Sequence, residues 1–166
     1  MDPFRPLDDA ARAALSACLA APHGALATLA ADGAPRLSRV AVLWLPGTGA
    51  TLLLSDLSDH ARALAADPRA SLLLGEPGPK GDPLAHPRLT LSGRAAPADK
   101  TALAPAWARA RPKTRLYLDF ADFRIWRLDP TEGLLNAGFG RAHRVAPADL
   151  ASLTDLTILS PPAAPT

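Results

Sequence analysis

Residues 24–55, GALATLA-ADGAP-RLSRVAVLWLP-GTGA-TLLLS, constrain this chain more than any other stretch. Three apolar runs follow one another with only short turn segments between them. ADGAP, residues 31–35, reads as the turn of a hairpin, since Asp-Gly is a strong turn pair. The second turn, Gly47-Thr48-Gly49, leads directly into Thr51–Ser55. A chain that begins this way is committed to antiparallel neighbours early. The question becomes what the rest of the sequence adds to that sheet.

After a short helix over Ser58–Ala66, ended by Asp67-Pro68, the run Arg69–Glu76 reads as another strand. The segment PGPKGDPLAHP carries four prolines and so reads as a loop. Arg88–Ala98 resumes the sheet. ADKTALAPAWARARP reads as a helical stretch broken at Pro105, and DFRIWRLDPTEGLLNAGFG as two strands around an Asp-Pro turn. In front of all this, Pro6–Ala21 reads as a helix with acidic residues in its opening turn. Six or so strands with two or three helices predict a mainly β fold with flanking helices, a small six-stranded antiparallel barrel. One domain over residues 1–150 is expected, followed by a C-terminal tail over 151–166 whose end, LSPPAAPT, should fray.

Composition narrows the function classes. With 166 residues, 48% hydrophobic and 20% charged, a packed single domain is expected and general disorder is not. Net charge is +2 and the sequence pI about 9.1. The arginines are scattered and aromatics are only 5%, which argues against a nucleic-acid partner. Cys18 is the single cysteine, so no internal disulfide and no multi-cysteine metal site can form. It lies in an Ala/Leu-rich helical pattern and reads as a small core residue. Neither a signal peptide nor a membrane-spanning run is visible, and a cytoplasmic protein without a membrane partner is expected.

One short segment carries chemistry. SDLSDHAR, residues 55–62, crowds hydroxyls and cations into the start of a helix. The first N–H groups of a helix lack partners and carry roughly half a positive charge, which suits an anionic group. Ser55 and Ser58 can donate to phosphate oxygens, and His60 and Arg62 can add charge. Arg39, on the neighbouring strand, reaches the same place if the hairpin folds over it. The plainer reading stays open beside this one: Ser58 as an N-cap, with Asp56 and Asp59 opposing an anion.

The order of GALATLAADGAPRLSRV, LLLSDLSDHARALAADPRASLLL, GDPLAHPRLTLSGRA and FRIWRLDP…AGFGRA resembles the FMN-binding split-barrel superfamily of pyridoxamine 5′-phosphate oxidase. It is most similar to the haem-utilisation branch, and the resemblance covers about Gly24 to Val145. It implies a homodimer of split barrels with FMN at the subunit interface. It also implies that Ser55, His60 and Arg62 hold the phosphate end, and that Arg39 and Val40 run beside the flavin. Arg88 would approach the ring, where a guanidinium favours the reduced, anionic flavin, or else pair with Asp82. Gly138, Gly140 and Arg141 would lie near the partner's flavin.

Departures from that pattern matter too. Haem-utilisation relatives carry a further histidine-rich domain that is not expected here, leaving His23, His86 and His143 as haem candidates without a supporting motif. Arg141-Ala142-His143 is similar in type to the substrate motif of the oxidases but offset by about one residue. No motif places a general base or nucleophile. Three activities are therefore expected to compete: an FMN-dependent oxidoreductase, a haem-binding or haem-degrading protein, and a non-catalytic flavin module. Two structural expectations accompany them. One of the faces carrying Ile125 and Trp126 should be covered by a partner subunit, and the Gly75–Pro87 loop should lie over the pocket.

Overall fold

The computed structural model describes residues 4–153. Seven strands form one antiparallel sheet: β1 (His23–Leu29), β2 (Pro35–Leu45), β3 (Gly49–Ser55), β4 (Arg69–Leu74), β5 (Arg88–Pro97), β6 (Phe123–Asn136) and β7 (Ala142–Val145). Their order is β3-β2-β1-β4-β5-β6-β7. β3 also pairs with the first half of β6, Ala50 opposite Leu128 and Ser55 opposite Phe123, and this closes six strands into a barrel. β7 takes the second half of β6, Gly133 opposite Val145. The result is a mainly β split barrel, with α1 (Asp9–Leu19), α2 (Asp59–Ala66), α3 (Lys100–Ala110) and α4 (Pro147–Ala151) around it.

Strand alternation explains the interior. Gly24, Leu26 and Thr28 point inward on β1 while Ala25 and Ala27 point out. Val40, Val42, Leu52, Leu72, Leu91, Trp126 and Leu128 fill the barrel, each large apolar side chain contributing about 2 kcal/mol by leaving water. A second apolar cluster lies outside the barrel, where Trp107 of α3 packs on Leu43, Leu45, Leu53 and Ile125. Its indole Nε1 donates to Thr51 Oγ1 at 3.1 Å, and that hydroxyl donates to the Leu43 carbonyl at 2.6 Å. Ile125 and Trp126 do point to opposite faces, as the alternation requires. The correction is that α3 of the same chain covers Ile125, so that strand gives no argument for a partner.

Two further expectations are corrected. Residues 123–136 form one strand, not two around an Asp-Pro turn. The register slips between Ser92 and Gly93, and Pro130 falls at this bulge, where a missing N–H costs little. A Cβ on Gly93 would stand 2.0 Å from the Asp129 carbonyl oxygen, so only glycine permits the close approach. Likewise α3 runs through Pro105 without a break. Pro105 is exposed, so water can take the carbonyl it leaves unbonded. Residues 154–166 of the expected tail lie outside the described residues. No helix among those described is long and apolar enough to cross a membrane.

Among the described residues, one broad sheet face stays uncovered. Across it run Arg39, Ala25, Leu73, Thr90, Leu134 and Arg144, one row set by successive register pairs. The next row includes Leu37, Ala27, Ser71 and Ser92. Leu37 is 75% exposed, Leu73 42% and Leu134 38%.

Candidate functional site

β3 delivers Ser55 to the rim of the barrel, where the chain turns into α2. Ser58 is the N-cap: its Oγ accepts from the Ala61 amide at 3.3 Å and donates to the Ser55 carbonyl at 2.7 Å. Ser55 Oγ donates to Asp122 Oδ2 and accepts from the Leu57 amide at 3.2 Å. Arg124 pairs with Asp56, and Arg62 pairs with Asp59 at 2.8 Å. The hydrogen bond from Arg62 holds the Asp59 carboxyl below its usual range. Burial pushes the half-buried His60 imidazole below its usual range, and Asp59 opposes that shift.

Arg39 completes this group. β2 and β3 pair Ala41 with Leu53, and Arg39 and Ser55 each lie two residues further toward the α2 end. They stand abreast on the outer face, since residues two apart share a side. Arg39 is exposed and forms no ion pair among the described residues. Val40 is buried inside the barrel, so only its backbone can meet a ligand on the outer face.

Arg62 does not join His60. Two residues along a helix turn the side chain by about 200°, so the two occupy opposite flanks of α2. Arg62 shares its flank with Asp59, Ala63 and Ala66. The chemistry of the first flank suits a phosphate: an unpaired guanidinium, first-turn amides beyond the one that Ser58 caps, an imidazole and two hydroxyls. The nearby carboxylates of Asp56 and Asp59 are already neutralised by arginines. Asp122 and Arg124, at the start of β6, belong to this environment and carry no motif that would have singled them out.

Arg88, Gly138, Gly140 and Arg141 lie elsewhere. Arg88 is on β5, three strands from β2 and so roughly 14 Å away across the sheet. Its Nη1 donates to the Leu84 carbonyl at 2.9 Å; Asp82 instead accepts from the Leu84 amide, so the alternative salt bridge does not form. A Cβ on Gly138 would be 3.5 Å from the Ala85 carbonyl oxygen, which sets the β6–β7 turn against the 75–87 loop. Gly138 and Gly140 have φ of 127° and 68° and shape that turn. It presents Phe139, 92% exposed. Arg141 reaches Asp8 at 3.2 Å.

The remaining candidates separate clearly. His143 is fully buried, its Nδ1 against the carbonyls of Arg5 and Pro6 at 3.1 and 3.0 Å. His86 Nε2 meets the Lys80 carbonyl at 2.9 Å. His23, on the outer face of β1, has its Nδ1 3.5 Å from Glu76. Burial raises the Cys18 thiol to about 11, which makes it unreactive.

The model of a family described as pyridoxamine 5′-phosphate oxidase matches residues 7–137. Heme oxygenase HutZ of Vibrio cholerae is 30% identical over 138 residues, 79% of this chain and 78% of its own. A solved structure 44% identical superposes with a TM-score of 0.76, over 88% of this chain and 99% of that one. The heme binding protein from Mycobacterium smegmatis is 34% identical with a TM-score of 0.77 over 89% of this chain. This chain spans only 62% of the length of that relative.

Proposed function

The chain belongs to the pyridoxamine 5′-phosphate oxidase family, and on that premise we propose that it is an FMN-binding homodimer acting as an oxidoreductase. The observation that carries this reading is Arg39, unpaired and abreast of Ser55 at the start of α2. There Arg39, Ser55, Ser58, His60 and the first-turn amides of α2 would hold the phosphate, the hydroxyls turning from their present acceptors. The separation of Arg88 from this group supports a dimer. Arg88 lies three strands from Arg39, and a second copy on the uncovered face would bring another Arg88 to a ring seated there. Arg88 and the turn carrying Gly138, Gly140 and Arg141 would then come from the partner. Bound FMN supplies electron transfer; a guanidinium beside its ring favours added negative charge there. The test is direct: purified protein is expected to quench FMN fluorescence on titration, and unchanged fluorescence overturns the reading. Oxidation of NADPH by the FMN-loaded protein would distinguish an enzyme from a flavin-binding module.

A second reading is haem binding, favoured by the names of the relatives and by His23. His23 Nδ1 is buried without a hydrogen-bond partner, 3.5 Å from Glu76, and an imidazole nitrogen is a common metal ligand. A Soret band of added haemin that shifts with the protein and not with His23→Ala would support it. A band that no amount of protein shifts excludes it.

A further inference from the structure

A cleft lies on the other side of β2 and α2 from the group around Arg39 and Ser55. Its volume is about 610 Å3, between the β1–β2 turn and the outer flank of α2. Arg36 of β2, Arg62 of α2 and Arg69 of β4 converge on it, and Leu29, Ala30, Ala63 and Ala66 supply apolar walls. Two acids are present. Asp59 is engaged by Arg62 at 2.8 Å, and Asp67 by Arg69 in a bidentate pair, Nε to Oδ1 at 3.0 Å and Nη2 to Oδ2 at 2.6 Å. Arg36 is exposed and makes no direct ion pair among the described residues, although its charge helps lower the Asp59 carboxyl. The cleft therefore holds one more cation than anions. At its edge the register sets Arg94 directly opposite Arg69, a like-charged cross-strand pair that ordinarily destabilises a sheet.

Strand and helix geometry separate this place from the start of α2. Arg36 and Arg39 are three residues apart on β2 and so face opposite sides; Arg62 and His60 occupy opposite flanks of α2. We propose that this cleft is a second site, for a small organic anion with one phosphate or carboxylate group on an apolar body. Arg36 binds the oxyanion directly. Arg69, which is exposed, turns toward it from Asp67, since a planar guanidinium can serve a carboxylate and a phosphate in turn, while Arg62 stays on Asp59 and adds its charge from there. The alanines and Leu29 receive the body.

The proposal does not depend on flavin binding. The probe is phenyl phosphate, followed by amide NMR shifts in the full chain with and without saturating FMN. Saturable shifts at Ala30–Gly33, Ala63 and Ala66 are expected, unchanged by FMN. Arg36→Gln should weaken binding about ten- to hundredfold, the loss expected for a charge-assisted hydrogen bond. Arg69→Gln, removing a second exposed cation, should act in the same direction. Benzoate in place of phenyl phosphate tells a carboxylate site from a phosphate site. Equal binding of neutral 1-phenylethanol, displacement by FMN, or affinity unchanged in both variants overturns the proposal. Binding of phenyl phosphate by protein that never binds FMN would uphold it and discard only the flavin reading.

Discussion

Thr51→Val tests how α3 is fixed to the barrel. Thr51 and Trp107 are fully buried, and the hydroxyl between them accepts the indole N–H while donating to the Leu43 carbonyl. Valine matches threonine in shape, so the substitution removes the hydroxyl and little volume. It leaves the Trp107 N–H without an acceptor in a site that water does not reach. An unsatisfied buried donor costs about 1–3 kcal/mol, so a loss of about 2 kcal/mol is expected. At about 2–4 °C per kcal/mol for a domain of this size, Tm should fall by roughly 4–8 °C. Trp107→Phe removes the donor and opens a cavity. The double variant should show a coupling of at least about 0.5 kcal/mol, because both partners of one bond are gone. Urea unfolding gives the energies, and hydrogen exchange of the α3 amides shows where they act. A Thr51→Val change below about 0.5 kcal/mol with unaltered α3 exchange would refute the argument. α3 would then be held by apolar contact alone.

Four other outcomes are expected. Ser58→Ala should destabilise the protein by about 1 kcal/mol in urea unfolding, the usual loss of an N-cap. Cys18 should resist iodoacetamide at neutral pH in the native protein and react in urea, because burial raises its thiol to about 11. Asp67, with Arg69 against it, has its pKa drawn from 3.8 to about 2. A depressed carboxylate stabilises the fold above its unfolded pKa and loses that contribution as pH falls from about 4 to 2, so Asp67→Asn should flatten the acid limb of the stability profile. Leu73→Glu on the uncovered face should give monomers by light scattering at micromolar concentration and weaken FMN together with the dimer; wild-type monomers would contradict the dimer outright.

The barrel was legible where the sequence signal is local. The ADGAP turn joins β1 to β2 and RLSRVAVLWL reads directly as a strand, although its unbroken apolar run from Val40 to Leu45 does not tell the inner face from the outer one. β6 was not legible, because what admits Pro130 is Gly93, a residue on another strand whose missing Cβ makes room for the bulge. Nor was the cover over Ile125, since Pro105 reads as a helix breaker until its exposure is known. At the candidate site, the motif showed the crowding of Ser55, Ser58, His60 and Arg62 but not their division by α2. Helical phase separates His60 from Arg62, and hydroxyls that looked free already donate to Asp122 and to the Ser55 carbonyl. Arg36 carried no signal at all: its role depends on elements that meet only in three dimensions.

The most direct test of the central claim compares FMN with riboflavin, which lacks the phosphate, in wild type and Arg39→Ala. Fluorescence titration should show Arg39→Ala weakening FMN about ten- to hundredfold, the loss of a charge-assisted hydrogen bond, while riboflavin binds both proteins equally. Equal weakening of FMN and riboflavin, or an FMN affinity indifferent to Arg39, would contradict a phosphate held at the start of α2.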